Sequence, residues 1–531
     1  MMLSTYVRTF AATTARLGAA LGAALIFLAG PALAQIPQPD AYQPVDRNGV
    51  NLLSGKIKGP GHTISIGQPG QGGLSLTVNY DTAANTFIHD MAGLANKEPI
   101  IGDGSDYPWV YVTVPQGATT YYQRDVDYNY DLVNGSGELV GGNTTNLVYT
   151  ALDGTRTEFS LNLRSGAPYV ARLGMVSSVT KPNGEVWTFH YEAETGDPYK
   201  RLKSVTNNLG YQIHFEYLTN EKTLAGWGEL AKVTAFNNTV DWCAPTAATC
   251  TYSQTWPSLT FTKSSTERTI TDSFGNTTRY FFSGGWLTGY SRPAAGTGQV
   301  ISVTWGTTPD LDLGKVVTVN DGAGTWTYWY SPPPPPPIPA YFETATYVTD
   351  PLGQQSRLII SSSFDGPPAG RRITNPRSFR DPLMNVTEYQ YETGRLTQVT
   401  YPEGNKEQVG YTDRGDVTGV FRIGKPGSGL TGTSITAAYA NCSSPMICGR
   451  PTSITDARGN VTDYTYSPVH GGVLTETAPA PTPGAVRPQT RYTWEQRYAW
   501  YRQDGSGAIT QAPSPVWVMV GQSQCMTGAT C

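Results

Sequence analysis

Along most of this chain apolar side chains alternate with polar ones in short runs of six to eight residues, the period of a half-buried β-strand. The runs share a spacing. A turn residue, usually Gly, is followed five and seven positions later by two aromatic or aliphatic side chains: Gly184 by Phe189 and Tyr191, Gly210 by Phe215 and Tyr217, Gly275 by Tyr280 and Phe282, Gly459 by Tyr464 and Tyr466. Weaker copies begin at Gly154, Gly353 and Gly404, and in one Met384 stands in the Gly place before Tyr389 and Tyr391. Residues two apart share a strand face, so each pair forms one apolar stripe, with Thr, Arg, Glu and His between pointing the other way.

The turn dipeptides Asn183-Gly184, Gly275-Asn276, Gly404-Asn405 and Gly459-Asn460 suit a chain reversal. A second run follows the clearest copies, Arg201-Leu202-Lys203-Ser204-Val205 after Tyr191 and Gly394-Arg395-Leu396-Thr397-Gln398-Val399 after Tyr391. The predicted unit is therefore turn, strand, turn, strand, a hairpin of roughly 20 to 26 residues that becomes stable by stacking on its neighbours. The predicted fold class is all-β, an array of stacked β-hairpins with a small N-terminal β domain. A β-sandwich with fortuitous Tyr-x-Tyr strands does not account for eight copies of one spacing.

The run from Asp381 to Asn405, with Asn385-Val386-Thr387-Glu388-Tyr389-Gln390-Tyr391 and Gly394-Arg395-Leu396 inside it, resembles the bacterial RHS repeat, also called the YD repeat. Asp456-Ala457-Arg458-Gly459-Asn460-Val461-Thr462-Asp463-Tyr464-Thr465-Tyr466 is similar. The resemblance covers about Ala151 to Trp494. It implies a hollow wall of spiralling hairpins that encloses a polypeptide, often a C-terminal toxin freed by self-cleavage at a core segment. No Asp-Pro-x-Gly-Leu core follows the repeats here, so neither cleavage aspartates nor a toxin domain maps onto this chain, and the expectation is a short or truncated member.

Composition narrows the picture without supplying chemistry. Gly 58, Pro 39 and Tyr 32 in 531 residues, with 15% charged, describe a turn-rich β protein. A net charge of −4 offers nothing to attract nucleic acid or an anionic membrane. Residues 1–34 read as a cleaved signal peptide: Arg8 and Arg16, an apolar stretch from Leu17 to Ala29, then Ala32-Leu33-Ala34 before Gln35. The expected organisation is a β domain over 35–148 and repeats over 149–531, interrupted by a polyproline surface loop at 332–339 and a Cys-bearing insertion at 421–450. The mature protein is expected to be exported, to the periplasm, cell surface or medium, with no membrane segment after cleavage.

Six cysteines form three close pairs, Cys243 with Cys250, Cys442 with Cys448 and Cys525 with Cys531, which in an exported chain predict three local disulfides. Zinc is the competing reading, disfavoured because the spacings lack C-x-x-C pairs and no pair has a nearby His. The five His match no catalytic or metal motif, and His190 and His214 read as ordinary strand residues. Asp125-Val126-Asp127-Tyr128-Asn129-Tyr130-Asp131 has alternate oxygens like half a calcium loop, but Tyr130 stands where that loop needs Gly. No catalytic residue, cofactor or metal is expected. The functional expectation is a non-enzymatic scaffold around an enclosed polypeptide, with a surface adhesin or glycan-binding module, suggested by 12 Trp and 32 Tyr, as the alternative.

Overall fold

The computed structural model describes residues 36–98, 109–124, 130–141, 146–163, 172–192, 200–224, 226–293, 299–309, 311–365, 371–440, 442 and 444–525. The expected signal peptide, residues 1–34, and most of the Asp125–Asp131 run lie outside them. Among the described residues there is no helix, and 32 strands belong to one antiparallel sheet. From Glu138–Gly141 to Gln489–Arg497 each strand pairs with the next one in the chain, and Gln489–Arg497 then pairs with Val516–Cys525 across a separate hairpin, Trp500–Arg502 with Ile509–Gln511. The strand Arg172–Thr180 also branches. Its first half pairs with Leu94–Glu98 and its second with Val186–Glu192.

The predicted stripe is present, and each of its two positions has a separate task. The side chain five after the turn is buried at Phe159, Phe189, Phe215, Tyr280, Leu358, Tyr389 and Val409 and half-buried at Tyr464. The side chain seven after the turn sits just past a β-bulge, at Tyr191, Tyr217, Phe282, Tyr391, Tyr411 and Tyr466. There the facing strand carries one extra residue, as Lys203 does opposite Tyr191 and Thr397 opposite Tyr391. A bulge frees a backbone carbonyl from the ladder, and a buried carbonyl needs a donor.

The next hairpin supplies it. Tyr217 donates its hydroxyl to the Leu202 carbonyl at 2.6 Å, Tyr411 to Leu396 at 2.8 Å, Tyr439 to Val417 at 2.9 Å, Tyr466 to Pro451 at 2.9 Å and Tyr330 to Val316 at 2.8 Å. The indoles of Trp305 and Trp494 do the same for Leu287 and Val473. In each case the acceptor is the residue opposite the preceding bulge. A cation often precedes that acceptor and lies over the donor's ring: Arg201 at 4.6 Å from the Tyr217 centroid, Lys315 at 4.7 Å from Tyr330, Arg395 at 5.7 Å from Tyr411 and Arg450 at 5.7 Å from Tyr466. Consecutive hairpins are thereby locked in register by side chains as well as by the ladder.

The turns are equally regular. Asp381 and Asp456 accept the backbone N–H of Asn385 and Asn460 at 2.9 Å and their side-chain amides at 2.8 and 3.0 Å. These contacts, the amides first, hold both exposed carboxyls below the usual carboxylate range. Met384 occupies the left-handed region at φ 71°, where its counterpart Gly459 has φ 83°.

Candidate functional site

Two long-range features give the array its shape. The first is contact between windings. The early turns meet the late part of the chain: Arg395 donates to the Gly135 carbonyl, Gly137 N–H to Arg414, Arg450 to Asp153, Trp517 N–H to Asn183, Asn208 to Ser514 and Arg502 N–H to Asn238. Three of these cross 260, 297 and 306 residues of sequence. The sheet therefore winds past a full turn and stacks turn on turn, without closing into a barrel. Gly449 permits the approach, since a Cβ there would sit 1.9 Å from the Leu152 carbonyl oxygen.

The second feature is a strap. Residues 36 to 93 run along one face of the array against its sequence order. Ile36 packs with Val409 and Val420, and the Tyr42 ring lies 5.1 Å from Phe379 and 5.9 Å from Tyr389. Further on, Tyr328 donates to Asp46 at 2.6 Å, Thr346 to the Leu52 carbonyl at 2.7 Å and Val316 N–H to Gly55 at 2.8 Å. Then a three-stranded sheet, His62–Ile66, Leu74–Asp81 and Thr86–His89, lays Tyr80 5.4 Å from Tyr280 and His89 5.0 Å from Phe215. Burial first, and then the Asp46 carboxylate, push the Tyr328 hydroxyl well above the ordinary tyrosine range, so it stays a donor.

Where strap and windings meet near Ile36 lies a partly open cavity of about 120 Å³, room for roughly four waters. Asp416 and Arg450, 5% and 7% exposed, line it, and among the described residues Asp416 Oδ1 and Arg450 Nη1 have no hydrogen-bond partner. Burial pushes the Asp416 carboxyl up and the Arg450 guanidinium down. Its size and its place between windings suit a hydrated joint. A larger, open cleft of about 930 Å³ lies between the turn at Pro402–Asn405 and residues 422–433 of the insertion. Tyr401, Arg422, Lys425 and Leu430 line it, with Lys425 3.5 Å from Glu403 and Arg422 2.9 Å from Glu407.

The five imidazoles are dispersed. His62 reaches the Tyr280 hydroxyl at 3.3 Å, His190 the Thr206 hydroxyl at 2.9 Å, and His470 accepts from Gly472 N–H between the rings of Trp494 and Trp517. No nucleophile, base and orienting acid converge among these contacts. The exposed polyproline loop connects Thr325–Tyr330 to Tyr341–Thr349. Trp326 packs against the core with Arg47 5.3 Å from its ring, whereas Trp329 is 51% exposed beside Tyr347.

Two disulfides are formed, Cys243–Cys250 and Cys442–Cys448. Cys525 is buried, and its expected partner Cys531 lies outside the described residues. The Cys243–Cys250 loop folds back over the sheet. Ser204 donates to the Pro245 carbonyl at 2.7 Å and Lys203 approaches the Ala248 carbonyl at 3.5 Å. Beneath the loop lies His214, which the sequence separates from both cysteines by more than a strand.

No protein-family model matches the sequence, and no curated protein does. Among solved structures, the crystal structure of TcdB2-TccC3 is similar at 15% sequence identity and a TM-score of 0.33, over 84% of this chain and 27% of that one. The Photorhabdus luminescens Tc holotoxin pore gives 14% identity and a TM-score of 0.32, over 84% and 26%. The chain spans about a quarter of the length of the chains it matches. Superposition at that level fixes neither curvature nor activity, and the winding above rests on this chain's own hydrogen bonds.

Proposed function

We propose that this chain is a non-enzymatic scaffold, a section of an RHS-type shell wall that works outside the cytoplasm around a polypeptide in a toxin-like or cell-surface system. The observation that carries the reading is the winding itself. A hairpin sheet that passes a full turn and stacks on itself builds a wall, and a side chain pins neighbouring hairpins at seven of its bulges. Local disulfides in exposed loops suit an oxidising compartment.

The test is protease protection of the product of the whole reading frame. If the wall encloses a segment of that product, the segment resists protease until urea opens the wall. Digestion of every segment beyond the wall at the rate of an unfolded control would overturn the enclosing role. A second reading, glycan binding at the cell surface, draws on the cleft beside Tyr401 and the insertion. It requires a glycan-array signal that Tyr401→Ala lowers at least tenfold, and Trp329 is the one exposed indole of the Trp326/Trp329 pair available for stacking.

A further inference from the structure

We propose that opening the Cys243–Cys250 disulfide converts this loop and His214 into a Zn²⁺ site with one imidazole and two thiolates as donors. Nothing in the repeat signature calls for these three residues together. They meet because the strands Arg201–Asn207, Tyr211–Tyr217 and Leu230–Asn237 lie side by side, with Ser204 and Thr234 directly opposite His214, and the loop that follows folds back over that row.

One imidazole nitrogen and both sulfurs lie within 4.8 Å of one another. Tetrahedral zinc, with bonds of about 2.0 to 2.3 Å, holds its donors roughly 3.5 to 3.8 Å apart. Breaking the sulfur–sulfur bond lets the sulfurs part to that spacing, and the imidazole closes by about an ångström. His214 is 0% exposed, and neither of its ring nitrogens has a hydrogen-bond partner. A buried polar ring without partners is costly, and a metal ion would satisfy it. The Ser204 and Lys203 contacts to Pro245 and Ala248 keep the loop over His214 when the disulfide opens.

The chemistry balances with a dithiol as reductant. Cys250 is the less buried cysteine, so its sulfur is the one attacked: a dithiol thiolate bonds to Cys250 Sγ and Cys243 leaves as thiolate. The second dithiol sulfur then displaces Cys250, so the dithiol is oxidised to a cyclic disulfide and the protein gains two electrons and two protons. Zinc next replaces the two thiol protons, which leave to solvent. The Lys203 ammonium beside the site favours both thiolates, and the two thiolate charges offset the ion. The fourth position falls to water. Cys442–Cys448 has no such imidazole among the described residues and serves as the internal contrast.

The test uses the full chain with Cys442, Cys448, Cys525 and Cys531 changed to Ser, reduced with a phosphine and freed of it without oxygen. Titration with Co²⁺ should give one equivalent bound, with a thiolate-to-cobalt charge-transfer band and tetrahedral d–d absorption. The oxidised chain should give neither, and His214→Gln should weaken binding at least tenfold. Equal binding by oxidised chain, no band after reduction, or an unchanged affinity in His214→Gln overturns the proposal. Should that variant lose its β-sheet circular dichroism, zinc-edge X-ray absorption of the loaded parent chain decides. Two sulfurs and imidazole scattering support the site, and the absence of imidazole scattering overturns it.

Discussion

Two stretches of the array carry the same repeat and differ in what covers them. From Arg201 to Asn237 the stripe faces the strap, Phe215 against His89, while the Cys243–Cys250 loop covers the opposite face, so every side chain from Arg201 to Val205 is buried. From Pro451 to Thr477 the turn, the bulge and the hydroxyl contact all recur, yet no residue of Val461–Tyr466 is buried. The strap, as described, begins at Ile36 against Val409 and Val420. Beyond the strand Thr433–Tyr439 no residue among those described joins a core cluster, and Val469, Leu474, Val518 and Val520 stand exposed. The repeat encodes the ladder and its registration, and the depth of burial comes from a segment outside the repeat.

The same truncation at one repeat position, in the strap-covered strand Thr277–Ser283 and in the open stretch, tests this most strongly. Tyr280→Ala removes a 0% exposed ring packed on Tyr80 and Phe87, and should cost about 3 to 5 kcal/mol in the covered part. Tyr464→Ala, on a half-buried ring at the same repeat position, should cost roughly 1 kcal/mol. Urea unfolding followed by hydrogen exchange measures both, since a long array need not unfold in one step. Amides of Leu230–Asn237 should outlast those of Val461–Tyr466 in the parent chain. Equal costs, or equal protection, would mean that the strap adds no stability.

Acid should separate the two stretches next. His214 takes a proton near 6.5 in the unfolded chain, but burial, and then the charge of Lys203, hold it down to about 4 in the fold. Between those values the unfolded chain carries the extra proton, so stability falls as pH drops from 6.5 to about 4 and levels off below. The loss is on the order of 3 kcal/mol. His62, His190 and His470 are also held low, so the discriminating measurement is the slope that His214→Gln removes from the covered transition over that window. An unchanged slope would show that His214 is not the group that titrates.

Spacing alone made the strands legible, because the five-and-seven pattern is a direct print of strand periodicity. It did not distinguish the two positions. Tyr217 and Tyr411 looked like further stripe members, and their hydroxyls, aimed at the Leu202 and Leu396 carbonyls, depend on bulges that a period of two hides. A signal was present in the Arg-Leu step of the second run, Arg201-Leu202 and Arg395-Leu396, since the cation sits over the donor ring. Within the strap, the strands His62–Ile66 and Leu74–Asp81 show in the alternation of Ile64 to Tyr80, but the segment before them left no periodic trace. It joins no ladder over Ile36–Leu52 beyond one short hairpin, and its apolar residues Ile36, Tyr42, Val50 and Leu52 are spaced by the strands they cross. Its glycines mark close approach: at Gly72, φ +90°, a Cβ would lie 2.1 Å from Leu209. His214 and Cys243 meet only because adjacent strands and a returning loop bring them together.

The smallest effect is the most local. Tyr217→Phe and Tyr466→Phe each delete one hydroxyl and leave a carbonyl, Leu202 or Pro451, without its donor. In the covered stretch Leu202 is buried, and the loss should be about 1 to 3 kcal/mol. In the open stretch Pro451 and Tyr466 line the cavity of about 120 Å³, where water can take the hydroxyl's place, so the cost should fall to roughly 0.5 to 1 kcal/mol, the net worth of an ordinary hydrogen bond. Unfolding midpoints of the two variants measure the ratio. A larger cost at Tyr466 than at Tyr217 would place the stability of the wall in its bulge contacts rather than in its cover. The strap would then be an accessory to a ladder that holds without it.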